Sequence, residues 1–282
     1  MSDRPALGIL AGGGQIPGRI AAAARAAGRP VFIIGLEGFA EASVLAPYPH
    51  AMARIGAAAR ILDLLRGHGC KDIVLIGPVR RPSLLDLRPD ALATKLLARV
   101  GRVAFAGDDG LLAAVVRVLG DEGFNVLGAH EILAEVLGPP GLLSVAAPDA
   151  QAMADIERGV AVVRALGAVD VGQACVVQQG LVLCVEAIEG TDAMLARAAS
   201  LRRSGVGGVM VKLVKPGQDR RADLPTIGPM TITGAAAAGL RGVAFEAGGT
   251  ILAEREATIA AANESGLFLL GLDPNQPASG GV

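Results

Sequence analysis

The chain has 282 residues, 52% hydrophobic and 19% charged, with a formal net charge of -1, no Trp and a single Tyr. This composition folds rather than staying disordered, and its length exceeds the roughly 100–200 residues of one domain, so two domains with a cleft for a ligand are expected. Without a basic field or aromatic platforms nucleic acid is excluded as a partner, and with neither a signal-peptide pattern at the start nor an apolar run of roughly 18 residues a cytoplasmic protein is expected.

In chain order, an apolar run at residues 6–11 leads into Gly12-Gly13-Gly14-Gln15-Ile16-Pro17, a helical stretch at 17–27 and a second apolar run at 31–35. That is a β-loop-α-β unit. A glycine loop between strand and helix offers backbone N–H groups to an anion, so a phosphate contact is one reading. The other is a tight turn with Pro17 at the first helical position. The spacing imitates a dinucleotide fingerprint only in part, since Pro17 stands at the third glycine, although Glu37 falls where a ribose-binding acid belongs.

The apolar positions Ile61, Leu62, Leu64 and Leu65 predict a helix before a strand at 73–76, and Cys70 precedes that strand. Arg80 and Arg81 follow at its carboxyl end, as a phosphate clamp or as solvated surface arginines. Gly107-Asp108-Asp109 reads as the cap of a helix at 109–119 before a strand at 126–127, and His130 comes directly after. His50 and His68 fall in loop-like or helix-end surroundings. The fold expected for residues 1–137 is a Rossmann-like parallel sheet domain. Pro and Gly crowd into 138–148, a linker candidate.

Residues 149–282 read as a mixed α/β domain. Runs at 175–177 and 181–185 flank Gln178-Gln179-Gly180 as a hairpin, and runs at 209–214, 243–245 and 267–270 alternate with helical stretches at 192–202, 232–240 and 254–263. Cys175 and Cys184 lie in the hairpin; like Cys70 they lack CxxC spacing and are read as packing residues, not zinc or disulfide partners. Glu186, Glu189, Thr191 and Asp192 lie within a few residues, as helix caps or as ligands of a divalent cation. Residues 212–228 are the densest polar stretch. Lys212 and Lys215 are point charges for phosphate, Arg220 and Arg221 can bind bidentately, and Asp219 or Asp223 can hold Mg²⁺ or position water. Pyrophosphate hydrolysis needs these functions. The alternative is an exposed loop whose charges pair for solubility, each pair contributing about 0–1 kcal/mol.

LAGGGQIPG, GPVRRP, LRPD, GDDGLL, EGFNVLGAHE, VGQACVV, VEAIEGTDAML and above all VKPGQDRRADLPTIGP occur in that order along nearly the whole chain. Together they resemble the LpxI-type UDP-2,3-diacylglucosamine pyrophosphatases. The resemblance implies a Mg²⁺-dependent step of lipid A biosynthesis in which water attacks the β-phosphorus, releasing UMP and 2,3-diacylglucosamine 1-phosphate. It also implies two domains closing over a lipid-linked nucleotide sugar, a homodimer, and peripheral contact with the cytoplasmic face of the inner membrane. Asp223 best matches the catalytic acid, with Asp219 second, and Asp223, Asp192 and Glu189 are the implied metal ligands. Gly12, Gly13, Gly14, Gln15, Pro17, Arg80, Arg81, His130, Gln173, Thr191, Lys212, Lys215, Arg220, Arg221 and Thr226 form the implied substrate set. A nicotinamide-dependent oxidoreductase, resting on the glycine turn and Glu37, and a non-catalytic nucleotide-lipid carrier are the competing readings.

Overall fold

The structure, a computed structural model, describes residues 4–79, 88–100 and 110–274. Contacts divide the chain into two units, Met1–Ala134 with Asp219–Asp223, and Glu135–Gln218 with Leu224–Val282.

In the first unit the apolar runs become β1 (Ala6–Ala11) and β2 (Val31–Leu36), buried along almost their whole length. Strands of a parallel sheet covered on both faces need apolar side chains on both. With β3 (His50–Ala53), β4 (Cys70–Ile76) and β5 (Asn125–Leu127) they form one parallel sheet in the order β3-β2-β1-β4-β5. The helices are α1 (Ile16–Ala26), α2 (Ala42–Leu45), α3 (Ala58–Gly67), α4 (Ala91–Val100), α5 (Gly110–Asp121) and α6 (Ala129–Ile132). Ile61, Leu62 and Leu65 of α3 join Leu10, Phe32, Ile34 and Ile73 in one core. The fit is tight: a Cβ on Gly8 would lie 2.6 Å from Leu65 Cδ2. His50 opens β3 rather than lying in a loop, and His68, just past α3, stacks its ring on Phe32 at 3.5 Å between centroids.

The second unit has a six-stranded mixed sheet of order β6-β13-β11-β9-β7-β8. Its strands are β6 (Gly141–Leu142), β7 (Ala174–Gln178), β8 (Leu181–Val185), β9 (Val209–Lys212), β11 (Gly242–Glu246) and β13 (Phe268–Leu272). β9, β11 and β13 run parallel, whereas β7 and β6 join antiparallel. A separate parallel pair is made by β10 (Thr226–Ile227) and β12 (Ile251–Leu252). One face packs on α7 (Ala150–Ala168), the other on α8 (Gly190–Leu201), α9 (Pro229–Ala237) and α10 (Arg255–Glu264). The β7–β8 turn needs only Gln179 and Gly180, with φ of 52° and 78°, the left-handed pair that a two-residue hairpin requires. Asp155 of α7, 1% exposed, accepts both turn amides at 3.0 and 2.7 Å.

The stretch 138–148, expected as a linker, carries β6 on β13 and ties Gly138 N–H to Thr250 O. Pro139 and Pro140 precede β6, where their missing N–H groups cost the ladder no hydrogen bond. Among the described residues no helix is long and apolar enough to cross a membrane.

Candidate active site

In the first unit, β1 and β4 are the neighbours at which the strand order reverses, and open α/β sheets take ligands outside the carboxyl ends of such strands. The glycine loop leaves β1 there. Gly12 donates to Ile76 O at 2.8 Å and Gly13 to Pro78 O at 3.0 Å, so two of its three glycine amides have backbone acceptors. The approach excludes side chains: a Cβ on Gly12 would lie 2.4 Å from Gly77 O, and Gly77 itself sits at φ 97°. The amide of Gly14, at φ 76°, and the Gln15 side-chain amide both donate to the carboxylate of Glu41, each at 3.1 Å. At this face of the loop, two donors therefore end on an acid. Pro17 lies in the first turn of α1, where it has no N–H to lose. Glu37 stands exposed just past β2, while Arg80, Arg81, Asp108 and Asp109 lie outside the described residues.

His130 follows β5 in α6. A Cβ on Gly128 would strike its ring at 2.3 Å, and its buried Nδ1 has no hydrogen-bond partner. Glu131 accepts the Gly128 amide at 2.7 Å. The segment Asp219–Asp223 belongs to this unit, with Ala222 packed on its core. Arg221 binds Asp219 bidentately, Nε at 2.9 Å and a terminal nitrogen at 2.7 Å, and this bond holds the Asp219 carboxyl below its ordinary range despite partial desolvation. The bonded Asp219 likewise raises the Arg221 guanidinium, to which the charge of Glu131 adds. The amides of Ala222 and Asp223 donate to Asp219 O, forming a compact turn that leaves Arg220 exposed and Asp223 half-exposed.

In the second unit β9 ends on Lys212, only 5% exposed. Its ammonium donates to Thr191 Oγ1 at 2.7 Å and to Thr226 O at 3.1 Å, and Thr191 donates to Glu186 at 2.5 Å. Glu186, itself 6% exposed, also accepts the Gln173 amide at 3.4 Å. Gly172 permits this, since a Cβ there would lie 2.0 Å from Glu186 O. Gln173 Oε1 is buried without a hydrogen-bond partner. Gln173, Thr191, Lys212 and Thr226 thus form one cluster, through Glu186. Lys215 is held elsewhere: its side chain, 1% exposed, pairs with Asp170 at 2.9 Å, and its amide donates to Gln218. Asp170 and Glu41 escaped the sequence reading; an acid in the loop after β2 was the one signal for Glu41.

Glu189 is lowered by its own backbone N–H and by Arg197, while Asp192 is exposed in the first turn of α8. Among the described residues no three His, Cys, Asp or Glu side chains stand where they could hold a metal ion. Mg²⁺ needs no such cage, being usually bound through one or two carboxylates and substrate phosphates, and half-exposed Asp223 suits that mode. Burial pushes Cys70 up to about 11 and Cys175 to about 12, and Cys184 is also raised, so none is a thiolate nucleophile.

Comparison with known proteins bears on both units. The sequence model of the LpxI N-terminal domain matches residues 6–136, and that of the LpxI C-terminal domain matches residues 139–270. The UDP-2,3-diacylglucosamine pyrophosphatase LpxI of Caulobacter vibrioides is 45% identical over 276 residues, covering 96% of this chain and 98% of its own. The crystal structure of Thermus thermophilus UDP-glucose 4-epimerase with NAD covers 96% of this chain and 88% of its own, at 12% identity and a TM-score of 0.32, too low for any argument. With both domain models in order and near-complete overlap with that relative, the chain belongs to the LpxI family.

Proposed function

We infer that the chain hydrolyses the pyrophosphate bond of UDP-2,3-diacylglucosamine, a step of lipid A biosynthesis. The observation that carries this is the full-length relative, 45% identical and named for that activity. The chemistry requires a deprotonated water in line with the attacked phosphorus and positive charge on the phosphoryl oxygens. Asp223 takes the proton from the water, with Asp219 anchoring the turn that presents it. Arg220 and Arg221, on the same turn, neutralise phosphoryl charge.

Mg²⁺, when bound, supplies further charge neutralisation, and Asp223 is the carboxylate we propose for it, with Glu189 and Asp192 as the competing set. Attack at the β-phosphorus breaks its bond to the bridging oxygen, which leaves with UMP. The same reading includes a homodimer and a cytoplasmic site of action with peripheral contact to the inner membrane; sedimentation and vesicle flotation test these.

The deciding experiment incubates the protein with UDP-2,3-diacylglucosamine and Mg²⁺ in ¹⁸O-water. UMP should appear, with the label in diacylglucosamine 1-phosphate. Absence of UMP sinks the activity, label in UMP moves the attack to the α-phosphorus, and full turnover in excess chelator removes the metal.

A further inference from the structure

The glycine loop and Glu41 fit a different part of the substrate from the one a glycine loop usually suggests. Anion cradles work through unengaged amides. Here Gly12 and Gly13 are bonded to the β4 side of the sheet, and Gly14 N–H and the Gln15 side-chain amide both end on one carboxylate. Glu41 is the N-cap residue of α2, yet its side chain makes no capping bond to its own helix; it reaches 27 residues back to Gly14. That choice needs a reason, since an acid there would ordinarily satisfy helix amides. Fixed by two donors, the carboxylate keeps acceptor capacity, as each oxygen can take more than one hydrogen bond. Glu41 and Gln15 are open to solvent beside half-buried Gly13 and Gly14, at the carboxyl end of β1 beside the point where strand order reverses.

An anchored anion repels phosphate and attracts hydroxyl donors. We propose that Glu41 is a specificity residue that binds the ribose hydroxyls of the uridine moiety, holding the neutral end of the nucleotide at the glycine loop and excluding the pyrophosphate from it. The acid at the end of β2 in dinucleotide-binding sheets has the same hydrogen-bonding task. Here Glu41, not Glu37, is the one tied to the loop. The uridine identity rests on the pyrophosphatase reading.

Titration calorimetry of the full chain with UMP and with 2′,3′-dideoxy-UMP tests this without turnover. The unsubstituted protein should bind UMP about tenfold more tightly, the size expected for one lost charged hydrogen bond. Glu41→Ala should bind both equally and weakly. Glu41→Gln, which keeps an acceptor but not the charge, should retain part of the preference. Equal binding of the two nucleotides by the unsubstituted protein, no UMP binding, or an undiminished preference in Glu41→Ala overturns the assignment. Tighter UMP binding by Glu41→Ala overturns it too, by showing a plug in an anion site. If the hydroxyl preference holds and depends on Glu41 while UDP-2,3-diacylglucosamine yields no UMP, the pyrophosphatase reading fails and this one stands.

Discussion

The polar stretch that dominates the sequence is two regions with opposite characters. Lys212, Lys215 and Gln218 are 5%, 3% and 7% exposed and are held by hydrogen bonds and an ion pair within the second unit. From Asp219 to Asp223 the chain belongs to the first unit, and Arg220 and Arg221 are exposed. Burying a charge is tolerated only when it is bonded, so the buried half is tied into the fold, while the exposed half stays in contact with solvent. Density of charged residues does not separate the two; burial does. The sharpest way to break this division is Asp223→Asn, which keeps shape but cannot accept a proton. Turnover of UDP-2,3-diacylglucosamine should fall about a thousandfold, in the range for loss of a general base, with substrate affinity unchanged. Single-turnover kinetics and calorimetry would check it, and near-normal turnover would move the role to Asp219.

The buried half should answer in stability. Lys212→Met removes the ammonium that bonds Thr191, the hydroxyl donor to buried Glu186, and leaves Thr226 O without that donor. A loss of about 2 kcal/mol in urea unfolding is expected, within the cost of leaving buried polar groups unsatisfied. Arg221→Ala, whose side chain is 49% exposed, should cost less than about 1 kcal/mol. Equal losses would erase the distinction between the halves.

How much of this was legible in the sequence depended on range. The β1-loop-α1-β2 unit was readable because its strands are continuous apolar runs and its turn is glycine. The helix α7 was not, since its buried face includes Ala152, Gly159 and Gly167, small residues that leave little periodic contrast; a Cβ on Gly159 would lie 2.5 Å from Val211. β3, His-Ala-Met-Ala, is too short and polar to announce a strand. Of the site, the 212–228 stretch stood out by its chemistry. Glu41 and Asp170 did not, because the groups that give them meaning lie 27 and 45 residues away. A local pattern carries no trace of a partner brought up by folding.

The smallest effect is the most specific to the exposed half. Arg221 holds Asp219 below its ordinary value of 3.8, so the folded state binds a proton there less readily than the unfolded chain. Stability from this pair is therefore fully present above the unfolded carboxyl value and is lost as pH falls through the lower folded value. With Arg221 half in solvent, screening limits the contribution to less than about 1 kcal/mol. Asp219→Asn should thus be slightly less stable than the unsubstituted chain at pH 7, and the gap should close as the solution is acidified below the ordinary carboxyl value of 3.8. Unfolding free energies of both proteins across that interval would show it. A gap that widens on acidification would mean that Asp219 is protonated more readily in the folded chain, and that the Arg221 bond does not govern this turn.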